Sequence, residues 1–415
     1  MFFSKWLRNR LTNLRPKHPA PQRRPRRFRP GLEILEDRAV PAVLNVTTAL
    51  DEVDPNDGVL SLREAIQQAN PATPGGDTIV FDSSLNHQTI TLNGNELLIN
   101  KNLNIQGPGA DLLAISGNRL SRVFDVPSPP AGSIVIPQVS LSGLTIEYGN
   151  AGTGTGGAIV TGGTLSLSGC NFSGNSANYY GGAIDSNGSL KLDGCNFSGN
   201  IAPADGGGIY GDGPITASNC VFSNNSSAGS GGAIFHYNSP LSLSGCTFSN
   251  NNAWNGDGGA IRDGGGVVGA LSLTLSQCTL STNSAHTQHG NSYGRGGAIF
   301  TVVASTKLTA CTLSGNSAGS GGAIFSTQDK GNSLTLSGCT ITSNTATSNG
   351  GGLYNYYGNA SIQNTSITKN SAGLQGGGIF NNVAATVYLD FASVVSGNSA
   401  PGGADIYNLG HVKKG

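Results

Sequence analysis

Two stretches hold side chains suited to gripping a ligand. RDGGGVVGA (262–270) and SAHTQHGNSYGR (284–295) together supply Arg262, His286, His289, Tyr293 and Arg295. Beside them recurs a set of aromatic residues, Tyr210, Phe235, Phe300, Phe325, Tyr354, Phe380 and Tyr407, each following an Ile or Leu just after a Gly-Gly pair. Stacked aromatic faces edged with guanidinium groups suit sugar rings or an apolar partner surface. A binding groove is therefore expected at Arg262, His286, His289, Tyr293, Arg295, Phe300 and Phe325, with the aromatic ladder turned outward. His286-x-x-His289 offers two imidazoles on a loop, which falls short of a metal site. Neither a metal nor a cofactor is expected.

Catalysis demands more. Glycoside hydrolysis needs two carboxyl groups placed together, and polysaccharide lyases need clustered acids for a cation plus a base. Asp185, Asp212, Asp263 and Asp329 do not share one register in the repeat described below, although Asp185 and Asp263 follow their Ile by one and two residues. No catalytic residue is assigned. G-T-G-T-G-G (152–157) matches a dinucleotide pattern but lacks the strand–helix context that gives the pattern meaning. The acidic run DEVDPND (51–57) does not match the EF-hand spacing and is expected to be a solvated loop.

What positions these groups is a repeat. LSLSGCNFSGNSANYYGGAI (165–184) recurs as LKLDGCNFSGNIAPADGGGI (190–209) and LSLSGCTFSNNNAWNGDGGAI (241–261). Successive Gly-Gly pairs from Gly156 onward are 25, 25, 25 and 27 residues apart, and the spacing widens to 38 between Gly258 and Gly296, where the two long stretches lie. Each copy holds three short runs alternating apolar with small polar residues, separated by Gly, Asn and Ser. That pattern reads as strand, turn, strand, turn, strand, turn. Three strands in such a period make one coil of a parallel β-helix. About ten regular coils, each rising by the strand spacing of about 4.8 Å, are expected.

Stacking explains the markers. Cys170, Cys195, Cys220 and Cys246, continued by Cys278, Cys311 and Cys339, form an inward column of free thiols. No CxxC or Cys-His cluster points to zinc. Phe172, Phe197, Phe222 and Phe248 stand two residues on, so they share the inward face. Asn175, Asn200, Asn225 and Asn251 begin an asparagine ladder at one corner. The Gly-Gly pair supplies positive φ or close backbone approach at another corner.

Three segments result: 1–41, a basic leader; 42–140, a cap with irregular first coils; and 141–415, the repeat. Lys and Arg equal Asp and Glu at 23 each, yet residues 1–30 hold ten basic residues and no acid. This leader reads as a disordered targeting or processing segment, and no nucleic-acid partner is expected. In the cap, Ser61 and Glu64 form an S-x-x-E capping box, and Leu62, Ala65, Ile66 and Ala69 share one face. This helix is expected to cover the open end of the first coil, which otherwise exposes an unpaired edge. No run of about 18 apolar residues occurs, so no transmembrane helix is expected. Charged residues at 11 % lie well below the share of about 25 % in ordinary globular proteins, and 63 glycines point to a turn-rich repetitive chain.

The GGAI runs (156–159, 181–184, 231–234, 258–261, 296–299, 321–324) and the F-x-x-N runs (FSGN at 172–175 and 197–200, FSNN at 222–225 and 248–251) resemble the repeats of polymorphic outer-membrane proteins, bacterial surface adhesins. Leu280, Leu313 and Ile341 replace the Phe in later copies. VLSLREAIQQAN resembles the CSLREA-type N-terminal domain of secreted β-helix proteins, with Leu60 in place of that family's Cys. LEILEDRAVPA (32–42) resembles a leader motif of large planctomycete surface proteins. The resemblance implies an all-β, right-handed parallel β-helix, secreted or displayed at the cell surface. Its implied role is structural or adhesive, with a polysaccharide or a cell-surface protein as partner. The alternative is a carbohydrate-active enzyme, a polysaccharide lyase or glycoside hydrolase, acting beneath the 262–295 loops.

Overall fold

The computed structural model describes residues 40–129, 136–265, 271–286, 294–303, 305–327 and 333–415. Every named strand pairing is parallel and joins equivalent residues of successive coils, as in Ile159 with Ile184 and Phe172 with Phe197. Among the described residues the sheet carrying the C-x-F-S strands has twelve strands, so the solenoid makes about twelve turns there. Ten come from the regular repeat, and the rest from coils ahead of it.

One element differs from expectation. A fourth ladder of seven two-residue strands, from Ile201–Ala202 to Ser371–Ala372, follows the asparagine corner. Its strands are too short to show a period-2 pattern, which explains why the repeat reads as three strands. At Leu353–Gln363, one eleven-residue strand runs through a corner and fuses two of the faces into a single sheet.

The corners are left-handed. The first Gly of the pairs from Gly156 to Gly376 sits at positive φ, +63° at Gly181 and +66° at Gly231, and in the last pair the residue at positive φ is Gly403. The second solves a different problem: a Cβ on Gly182 would lie 2.6 Å from the Ile201 backbone nitrogen. The turn before each Cys is also left-handed, and there Gly169 and Gly194 are joined by Asn219, Gln277 and Ala310.

Inside, three columns run along the coil. Phe172, Phe197, Phe222 and Phe248 are fully buried and stack with centroids 4.7–4.8 Å apart. All seven cysteines are buried and free. The Cys220 thiol donates to the Ser218 carbonyl at 3.2 Å, and the other cysteines make the same contact two residues back. With no cation among their partners to stabilise a thiolate, these are inert core thiols. The asparagine ladder satisfies itself fully. Asn225 Nδ2 donates to the Phe197 carbonyl (2.9 Å) and to Asn251 Oδ1 (3.0 Å). Its own Oδ1 accepts from Asn200 N (3.2 Å) and Asn200 Nδ2 (2.9 Å).

The cap forms as the sequence predicts. Helix Leu62–Gln68 starts at Ser61, whose Oγ accepts from Glu64 N (3.1 Å) while Ser61 N donates to Glu64 Oε2 (2.9 Å). Leu62, Ala65, Ile66 and Ala69 are buried, and the helix packs on strands Val43–Val46 and Leu97–Leu98. Lys101 Nζ closes its far end by donating to the Ile66 and Ala69 carbonyls at 3.1 and 2.9 Å. The acidic loop ahead of it is tied down: Asp51 pairs with Arg63 at 2.7 Å and accepts from Asn93 N at 2.8 Å. Among the described residues no helix is long and apolar enough to cross a membrane.

Candidate functional site

Each Gly-Gly corner leads into a three-residue strand whose first residue points into the coil, whose second points out and whose third points in again. The outward residues stack in register as Asp125, Val160, Asp185, Tyr210, Phe235, Arg262, Phe300, Phe325, Tyr354, Phe380 and Tyr407. Arg262 replaces an aromatic residue in this column. Its guanidinium lies 4.5 Å from the Phe235 ring centre and 6.0 Å from that of Phe300. It also donates to the Gly264 carbonyl. Arg295 lies over Phe300 and Phe325 at 4.6 and 5.3 Å. Its Nε and Nη2 grip Asp257 at 3.0 and 2.6 Å.

The expectation of an exposed aromatic ladder needs correction at its centre. Phe235, Phe300, Phe325 and Phe380 point outward, yet keep only 8, 3, 4 and 4 % exposure. In-register stacking puts rings 4.6–5.6 Å apart, so neighbours cover one another's faces. Arg262, Arg295, Tyr237 and Tyr356 lie against the rings as well. Tyr210, Tyr354 and Tyr407 are half-buried. Beyond Tyr210, Tyr180 and Tyr179 extend the aromatic run into solvent, with ring centres 4.7 Å from Tyr210 to Tyr180 and 6.4 Å from Tyr180 to Tyr179.

The structure thus brings Arg262, Arg295, Phe300 and Phe325 together. His286 directly follows strand Ser284–Ala285 of the short fourth ladder and is exposed, with Nε2 3.2 Å from Ser317 Oγ. His289 and Tyr293 lie outside the described residues. So do most of the two long insertions and residues 1–39 of the leader. No cluster of three or more His, Cys, Asp or Glu residues able to hold a metal ion occurs among the described residues.

Two constellations escaped the sequence reasoning. The first surrounds Tyr210, with Asp185 on the preceding coil, Asp205 at the corner before its strand and Asp212 just after it. Burial pushes the Tyr210 phenol up to about 12, and Asp185, Asp212, Tyr180 and Asp205 add to the shift. Asp185 is also raised, chiefly by burial; Thr155 and Arg122 oppose the shift and Asp212 adds to it. Asp205 is raised by burial, against a hydrogen bond from Ser230 N at 2.7 Å and the nearby Arg262. The second lies inside the coil. His236 and Asp263 are fully buried, with Nδ1 and Oδ1 2.7 Å apart. His236 Nε2 is 3.2 Å from the Gly213 carbonyl, which can only accept, so Nε2 carries a proton. Burial pushes Asp263 up, while His236 opposes the shift. The pair belongs to an inward column that continues through Thr301, Ser326, Asn355, Asn381 and Asn408. The signal was available, because every one of these residues stands two places after the strand's first aliphatic residue.

The family described as Right handed beta helix region matches residues 88–285 and 155–332, together more than half of the chain. The chain belongs to that family. Residues 338–356 also match the Chlamydia polymorphic membrane protein repeat, so a repeat of that type is supported on this segment. Among solved structures, the chain is similar to the catalytic unit of a thermostable GH87 alpha-1,3-glucanase from Streptomyces thermodiastaticus strain HF3-3. That match has a TM-score of 0.36 and 14 % identity, and covers 81 % of this chain and 66 % of the other, just under two thirds of its length. No curated protein matches.

Proposed function

We propose that this β-helix is a secreted or surface-displayed structural or adhesive protein that binds a polysaccharide or cell-surface glycan along its outward aromatic column. The unbroken register of that column carries the reading: from Tyr210 to Tyr407 each position offers a ring or, at Arg262, a guanidinium. Rings in register match the repeat of an extended glycan, and Arg262 and Arg295 supply donors at the centre. Because the central phenylalanines are covered, contact falls to the half-buried tyrosines, to Tyr179 and Tyr180, and to Arg295. On this reading His286, His289 and Tyr293 add polar contacts to the same ligand. The polymorphic membrane protein repeat supports surface display. On this reading residues 42–140 are a CSLREA-like cap and residues 1–41 a leader of the planctomycete surface-protein type.

The test uses the purified chain on a panel of immobilised polysaccharides, scoring retention and new reducing or unsaturated ends. Retention that weakens in Arg295→Ala and Tyr180→Ser is expected. Cleavage products would overturn the non-catalytic reading in favour of a carbohydrate-active enzyme, and no retention on any glycan would overturn glycan binding.

A further inference from the structure

At one end of the outward column, carboxyl groups outnumber the donors available to satisfy them. Asp185 is 6 % exposed, and its Oδ1 has no hydrogen-bond partner. Asp212 Oδ1 is likewise buried and unpartnered. An orphaned buried carboxylate oxygen is costly, and nearby cations ordinarily satisfy it. Here the two nearest arginines are committed elsewhere. Arg122 directs its donors to Glu96 and to the Thr155 and Gly156 carbonyls. Arg262 lies between the Phe235 and Phe300 rings and donates to the Gly264 carbonyl. Thr155 serves the Asp185 carboxyl but leaves Oδ1 unpartnered, and the neighbouring positions are aromatic: Tyr210 beside Asp185 in the ladder, and Tyr180 stacked 4.7 Å from Tyr210.

We infer that Asp185, Asp212, Tyr180 and Tyr210 form a site for an organic ammonium group, with Asp205 adding to its negative field. An ammonium brings three donors and a full positive charge, which meets both orphaned oxygens, and its alkyl carbons rest on the tyrosine faces. A neutral hydroxyl brings one donor and no charge, and leaves the like-charge repulsion between Asp185 and Asp212 in place. The inference deepens the glycan reading above by naming the charge of the sugar: an amino sugar with a free amine.

The experiment titrates the full chain by calorimetry with chitosan tetraose, with its N-acetylated counterpart and with tetralysine. The amine tetramer is expected to bind at least tenfold more tightly than the acetylated one. The Asp185→Asn/Asp212→Asn double variant should erase that difference while leaving any affinity for the acetylated sugar unchanged. Tyr180→Ala should weaken the amine tetramer severalfold. Equal affinity for amine and acetylated sugars, or no binding of chitosan tetraose, overturns the ammonium site. The first of these results leaves glycan binding standing, so the two readings fail separately. Tetralysine binding as tightly as chitosan tetraose, with the same loss in the double variant, supports the ammonium site and assigns its ligand to a peptide. The double variant has isosteric side chains, and an unchanged far-ultraviolet dichroism spectrum would show that loss of binding is not loss of fold.

Discussion

The asparagine ladder should fail at a single deletion. Replacing Asn225 with Ala removes four hydrogen bonds of 2.9–3.2 Å. Two of the partners keep other bonds: Asn200 Nδ2 still donates to the Phe172 carbonyl, and Asn251 Oδ1 still accepts from the residue 225 amide. Of the other two, the Phe197 carbonyl stays in the parallel ladder with strand Val221–Ser223, while the Asn200 backbone N–H loses the side chain that served it inside the corner. One orphaned buried backbone group costs about 1–3 kcal/mol and the lost amide bonds add about 1 kcal/mol, so Asn225→Ala should cost about 2–4 kcal/mol. With a urea slope of about 3 kcal/mol per molar, the midpoint should fall by about 1 M. Trp254 is a convenient fluorescence probe, since its indole donates to Ser226 Oγ beside the mutated corner. Asn252→Ala is the control: that residue lies outside the ladder, and its Oδ1 accepts only from Ser284 Oγ at 2.9 Å. Equal midpoints for the two variants would refute the claim that the ladder satisfies the corner. Asn225→Asp should be worse than Ala at neutral pH, because an acceptor-only carboxylate then faces two other acceptors. It should recover in acid as the carboxyl takes up a proton.

Asp263→Ala leaves His236 sealed in the core with one partner, and a broken buried pair of this kind costs about 3–5 kcal/mol, readable by the same unfolding assay. Ala310→Gly should stabilise by about 1 kcal/mol, because Ala310 holds φ +52° at a corner where Gly169 and Gly194 serve other coils; an unchanged melting temperature would count against strain there. Asp185 is raised in the folded chain, mainly by burial, so folding favours its protonated form. Its contribution to stability should be complete below the ordinary carboxylate range of about 4 and decline as pH rises through the folded value. Thermal midpoints of Asp185→Asn should lose that part of the decline between pH 4 and 8 and lie above the unsubstituted chain's at pH 8.

The coil was legible because each marker has one geometric job. Cys170 and Phe172 alternate inward, Asn175 turns a corner, and Gly181 takes a positive φ. The cap was legible for the same reason, from the Ser61–Glu64 capping box and the apolar face of Leu62, Ala65, Ile66 and Ala69. Exposure was not legible in this way. Period 2 fixes which side of the strand Phe300 occupies, but the spacing between coils equals the contact distance of stacked rings, so an outward ring is covered by its own repeats. The carboxyl cluster was missed because acids were sought at one register. Asp185 comes from a strand, whereas Asp205 and Asp212 come from the corners on either side of the next one. Only the coil brings the three around Tyr210.

The match of each coil to its neighbours has an evolutionary consequence. Since Phe197 meets Phe222 much as Phe222 meets Phe248, an added or deleted coil would find a ready-made interface on both sides. Recombination between near-identical coding units would therefore change the protein's length in steps of about 4.8 Å without creating a new packing problem. Only the aperiodic residues resist such shuffling. His236 needs Asp263 on the very next coil, and Tyr210 needs Asp185 on the one before. These two pairs are expected to act as fixed points around which the coil number drifts.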